Sequence, residues 1–178
     1  MHLRLAEYWA LVDEFHICEC NLSHRGHAKP LNYLEHKQDY SNYASKIRQH
    51  VIPAMDAAAV YKKTPYTSET QNRQFMRDTL RARLEETDVI IVSDANEVIR
   101  VDILEGLVDG RYPLPTRVNT PVWKCSFHWK DPKPSGWAQV RVFQMGEAKT
   151  EDWNVVRRGV PTTKWLVIYK IKLQARTT

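Results

Sequence analysis

The spacing of apolar positions divides the chain into two styles. Leu3, Leu5, Ala6, Trp9, Ala10 and Val12 recur at near-helical intervals and predict a short amphipathic helix over Leu3–Val12. Phe15–Cys20 reads as a strand, and Lys46–Ile52 as a second, closed by Pro53. A long helix is predicted from about Ser68 to Glu86, rich in Arg, Gln, Met, Leu and Glu, with Thr67 or Ser68 as its cap. Thr87-Asp88 breaks it before Val89-Ile90-Ile91-Val92. That run is short, β-branched throughout and without alternation, the pattern of a strand buried on both faces in the middle of a parallel sheet. A further helix fits Val101–Val108, stopped by Gly110. Residues 13–108 therefore alternate strand and helix and predict an α/β fold with a largely parallel sheet. Past residue 110 come Pro113, Pro115 and Pro121 and three strand-like segments, Val122–Trp129, Trp137–Phe143 and Lys164–Leu173. They predict an antiparallel extension of the α/β core.

Composition narrows the class. At 178 residues, 43% hydrophobic and 26% charged, the chain has the size and balance of one globular domain. No apolar run reaches the roughly 20 residues of a membrane helix. Three cysteines, Cys18, Cys20 and Cys125, do not make a disulfide scaffold, and a reducing, cytoplasmic setting is the expectation. Charge is uneven: residues 1–110 carry 13 Lys and Arg against 17 Asp and Glu, and residues 111–178 carry 13 against 4. The basic last third fits an anionic partner such as a phosphate, a nucleotide or nucleic acid, or else a solvated basic face.

The sharpest chemical signal is the end of the predicted buried strand, Ser93-Asp94-Ala95-Asn96-Glu97. Ligands of open α/β sheets sit beyond the carboxyl ends of the strands. Asp94, Asn96 and Glu97 are oxygen donors of the kind that hold magnesium or manganese. The same residues also suit a loop that caps the following helix. Cys18 and Cys20 share one face of a strand and read as buried thiols. His24 and His27 share a basic loop with Arg25 and Lys29. Trp123, Trp129 and Trp137 suit a core or a sugar-stacking surface.

Asp88–Val98 resembles the metal-site strand of glycosyltransferase family 17, the bisecting N-acetylglucosaminyltransferases, which carry Ser-Asp-Val-Asp-Glu-Ile there. Leu5–Tyr8 and Val12–Glu19 are similar to that family's early helix and strand. Gly26–Leu31 resembles its Gly-Lys-Pro-Lys-Pro-Leu loop. Arg77-Asp78-Thr79-Leu80 sits where the family has an Arg-Asn or Arg-Asp pair. Lys124–Trp129 and Arg157-Arg158 are looser matches.

The resemblance implies a GT-A-like, Rossmann-like domain with a nucleotide-sugar half over 1–110 and a basic acceptor-side half over 111–178. It implies a metal-dependent inverting transfer of a sugar, N-acetylglucosamine from its UDP donor, to a glycan acceptor. Asp94 then meets the ribose or the metal shell, Asn96 stands at the family's metal-binding Asp, and Glu97 supports it. Arg77, with Asp78 beside it, faces the diphosphate or the donor sugar, while Glu19 and Lys29 lie near the nucleotide. Glu147, Glu151 and Asp152 are the candidates for the catalytic base. Three departures stand out: an amide at 96, no counterpart of the family's first strand, and none of its later Gly-Trp-His-Phe-Ser-like segment. They leave open a module that binds nucleotide sugar or carbohydrate without turnover. A nucleic-acid-binding protein is the third reading, from the basic Trp-bearing last third.

Overall fold

A computed structural model describes residues 1–23, 27–52, 67–94, 97–120, 137–148 and 166–171. In chain order the elements are α1 (His2–Tyr8), β1 (Glu14–Cys20), α2 (Asn32–Glu35), a 3₁₀ segment (Lys37–Tyr43), β2 (Ile47–Ile52), α3 (Thr67–Arg81), β3 (Val89–Asp94), α4 (Val101–Val108), β4 (Thr116–Thr120), β5 (Trp137–Gln144), α5 (Met145–Ala148) and β6 (Leu166–Ile171).

Element identity follows the local pattern closely, and the ends move for identifiable reasons. α1 stops at Tyr8, whose carbonyl accepts from both Leu11 and Val12. The Lys46 ammonium then donates to the carbonyls of Trp9 and Val12 at 2.5 and 2.7 Å, closing the turn. α3 ends at Arg81, five residues before Glu86. The chain there folds into a turn in which the Asp88 carboxylate accepts from the Glu85 amide at 2.9 Å and faces the Lys170 ammonium at 3.2 Å. Gly110 ends the α4 region with φ +66°, a left-handed conformation that only glycine adopts at little cost, and the Arg111 amide bonds back to the Gly106 carbonyl. β4 was not legible between Pro115 and Pro121, and the expected strand Val122–Trp129 lies outside the described residues.

The six strands form one sheet in the order β2-β1-β6-β3-β5-β4. Among the described strands only β1 and β2 pair in parallel; β6 pairs antiparallel with both β1 and β3, and β5 pairs antiparallel with β3 and β4. This corrects the expected mostly parallel sheet with an antiparallel extension added to it. The C-terminal strand is an insertion, seated between the two strands that the α/β pattern would place side by side. The physical reason is that a β-branched run reports burial on both faces without reporting the direction of its neighbours. β3 is indeed interior and buried along its whole length.

Each face of the sheet carries its own core. Leu5, Tyr8, Phe15, Ile17, Ile91 and Leu104 pack with α1 and α4 on one face. Cys18, Cys20, Ile90, Val92, Met76 and Leu80 pack with α3 on the other. The alternation along β1 and β3 thus assigns Phe15, Ile17, Glu19 and Ser93 to the α1/α4 face, and His16, Cys18 and Asp94 to the α3 face. Among the described residues no helix is long and apolar enough to cross a membrane.

Candidate functional site at the carboxyl ends of β1, β2 and β3

β1, β2 and β3 point the same way, so Cys20, Ile52 and Asp94 all end at one edge of the sheet. Asp94 is the last residue of β3 and is 5% exposed. The turn after it is tied from three directions. The Asp94 amide donates to Oε2 of Glu97 at 2.7 Å, and the Glu97 amide donates to the Asp94 carbonyl at 3.0 Å. The third tie comes from α1. Arg4, 1% exposed, donates through Nη2 to the carbonyls of Asp94, at 2.8 Å, and Glu97, and through Nη1 to Oγ of Ser93 at 3.4 Å. One buried guanidinium therefore holds both ends of the acidic turn and the residue before it. Tyr8, one helical turn on, donates its hydroxyl to the Ile99 carbonyl at 2.6 Å and fixes the chain leaving the turn. Burial pushes the Tyr8 phenol up to about 12, so it donates throughout the physiological range.

Glu19 sits near the end of β1. It lies on the face opposite Asp94, 2% exposed, and its carboxylate accepts from the Tyr33 and Leu34 amides at 2.7 and 3.2 Å and from Nε2 of Gln49 at 3.0 Å. It anchors the start of α2 and bridges to β2. Arg77 is on α3, the helix that covers the Asp94 face, partly buried and bonded to its neighbour Asp78 at 2.9 Å. Asp78 itself is exposed. Lys29 is partly buried in the loop after β1, its amide bonded to the Asn21 carbonyl. Glu147 is brought elsewhere: it follows Gln144, which pairs with Val89 at the amino end of β3, and its Oε2 accepts from the Gln144 amide at 3.2 Å. Asn96, Glu151 and Asp152 lie outside the described residues. Among the described residues no three His, Cys, Asp or Glu side chains form a metal-binding group.

Several polar residues of the interior were not singled out from sequence. Arg73 is 7% exposed on α3. His16 and His50 stack on the α3 face with Nδ1 and Nε2 3.0 Å apart, and Nε2 of His16 faces the Glu14 carboxylate at 3.2 Å. Burial, then charge repulsion with the neighbouring His50, lowers His16 to about 4 against the opposing pull of Glu14. Burial also lowers His50. Arg4 had a readable signal: positions 4, 5 and 8 share one helical stripe, so an arginine falls within the buried face of α1.

An open mixed sheet with helices on both faces, and an acid-tipped interior strand at its carboxyl edge, makes this an α/β protein. The chain belongs to glycosyltransferase family 17, whose family model matches residues 1–156, and is thereby a sugar transferase by family. The matched span covers α1 to α5 and ends before β6. No curated protein and no solved structure matches the chain.

Proposed function

We propose that the protein transfers N-acetylglucosamine from a UDP donor, with inversion, to a glycan acceptor, using a GT-A-like nucleotide-sugar site at the Asp94 turn. The observation that carries this reading is the turn itself: a buried strand ending in Asp94, clamped by Arg4 and Glu97, inside the span matched by the glycosyltransferase family. A backbone held at Asp94 fixes where that side chain starts, which serves a ligand site better than a solvated loop would. The donor's diphosphate already carries two negative charges and departs with the bonding electron pair as a third, and compensating positive charge lowers that barrier.

The donor set suits a hard divalent ion. Asp94 supplies a carboxylate, and the Asn96 carbonyl lies two residues on. Glu97 already spends Oε2 on the Asp94 amide and acts mainly as a support. Manganese or magnesium held there would stabilise the departing diphosphate. Arg77 on α3 stands on the same side as Asp94 and fits a contact to the phosphates. Acids at this edge disfavour a nucleic-acid backbone as the ligand. Asn96 favours one second reading, a module that binds the donor without turnover.

The deciding experiment is UDP release from UDP-N-acetylglucosamine with and without manganese. Metal-dependent release supports transfer, binding without release supports the second reading, and neither binding nor release sinks both. A carboxylate adds a full charge where Asn96 has only an amide. At an effective dielectric near 20 this corresponds to roughly a tenfold to hundredfold gain in metal affinity. Asn96→Asp is therefore expected to tighten manganese binding in calorimetric titration, and Asp94→Asn to weaken it. Unchanged affinity in Asn96→Asp removes residue 96 from the ligand set.

A further inference from the structure

A buried cation with no counter-charge among the described residues lies one strand from Asp94. Arg141 in β5 is 7% exposed, and its Nε is buried without an acceptor. Among the described residues no carboxylate pairs with it. An arginine keeps its proton, so it cannot escape burial by becoming neutral. An unpaired buried charge is among the costliest groups a fold can hold.

The residue directly across from Arg141 in β4 is Arg117. Opposed residues of an antiparallel pair project from the same face with Cβ atoms about 5 Å apart, and like charges placed so repel. Arg117 is exposed and also has no acid partner among the described residues. Val140 and Val142 belong to the α1/α4 core and Phe143 to the α3 core, so Arg141 projects on the α3 side. On its other flank Arg141 pairs with Val92, two residues before Asp94 on the same face. Two opposed cations, one of them desolvated, thus stand beside the acid-tipped end of β3.

From this we infer that Arg141 and Arg117 form an anion site that holds a multiply charged phosphate of the pyrophosphate class. Paired guanidinium groups match phosphate oxygens through bidentate hydrogen bonds, and a dianion removes the repulsion between them. The inference rests on the nucleotide-sugar reading for its natural ligand, the donor's diphosphate, and names the residues that grip it.

The test titrates inorganic pyrophosphate, and separately UDP-N-acetylglucosamine, into the wild type, Arg141→Met and Arg117→Met by calorimetry, with thermal midpoints taken without ligand. The expected result is at least tenfold weaker pyrophosphate binding in Arg141→Met, whose unliganded midpoint is no lower than that of the wild type. Arg117→Met, an exposed change that leaves the fold intact, should weaken binding severalfold. Pyrophosphate bound equally by Arg117→Met and the wild type overturns the site even if Arg141→Met fails to fold, and so does a wild type that binds no pyrophosphate. Pyrophosphate held through the pair without any UDP-sugar binding keeps the site and sinks the nucleotide-sugar reading. UDP-sugar bound equally by all three proteins sinks the site and keeps that reading.

Discussion

His16 shows how one buried side chain sets a pH dependence. It faces Glu14 on its own strand, His50 and Arg48 on β2, and Arg83 just beyond α3. The folded protein holds His16 neutral down to about 4, whereas in the unfolded chain it takes up a proton near 6.5. Between those values only the unfolded state gains the proton, so acidification favours unfolding. The stability linked to His16 is complete above pH 6.5 and falls as the pH drops toward 4. The full loss is about 3 kcal/mol. Glu14 acts lower. Burial raises its carboxyl, but the bond to Arg83 and the His16 and arginine charges outweigh that and hold it below 4.5, so its contribution disappears only at still lower pH. Urea unfolding at pH 7.5 and 5 should show the decline in the wild type, and His16→Phe should flatten it. An equal slope in both proteins would assign the effect to other groups.

At the scale of elements, α1 is the part that sets the candidate site. Its Leu5 and Tyr8 enter the core, and the same stripe carries Arg4 to the carbonyls of Asp94 and Glu97, about ninety residues away in sequence. Arg4→Met keeps the apolar stem and removes one donor each from the Asp94 carbonyl, the Glu97 carbonyl and the Ser93 hydroxyl, while the Asp94 carbonyl keeps the Glu97 amide. The cost should be roughly 2–4 kcal/mol, by the penalty for unsatisfied buried groups. Arg4→Lys should recover part of it, because one ammonium reaches one carbonyl where a guanidinium reaches two. Denaturant midpoints check this, and a change below 0.5 kcal/mol, the scale of ordinary surface substitutions, would show that the clamp contributes little. The helix was visible in the spacing of Leu3, Leu5, Ala6 and Trp9. What it holds was not, since a carbonyl acceptor leaves no mark on the sequence around Asp94.

For the molecule as a whole, the decisive feature is the seat of β6. It pairs with β1 on one side and β3 on the other, so the two halves of the sheet meet through the last described strand. The residues matched to the glycosyltransferase family end at 156, before that strand. A chain cut after residue 160 would expose the inner edges of β1 and β3 and leave their backbone groups unpaired. It should lose cooperative thermal unfolding by circular dichroism and associate in solution. A sharp, reversible transition in the shortened chain would mean that the sheet closes without β6. The basic bias of residues 111–178 also takes form at this scale, where β4 and β5 set Arg117 opposite Arg141.

The sequence by itself determined the identity of most elements, the burial of Val89–Val92, the acid tip at Asp94 and the family, because periodicity and short motifs are local properties. It also placed a stop at Gly110, where one residue type satisfies the backbone. Tertiary structure alone decided the order and direction of the strands. Hydrophobic alternation states which face is buried and is silent about which strand lies alongside. It decided likewise that Glu19 anchors α2 from the opposite face and that Glu147 lies at the far end of β3 from Asp94. The pairings of His16 with His50, of Arg4 with the Asp94 turn and of Arg117 with Arg141 arise from sheet register and helix docking. Those depend on contacts between segments that the linear order keeps apart.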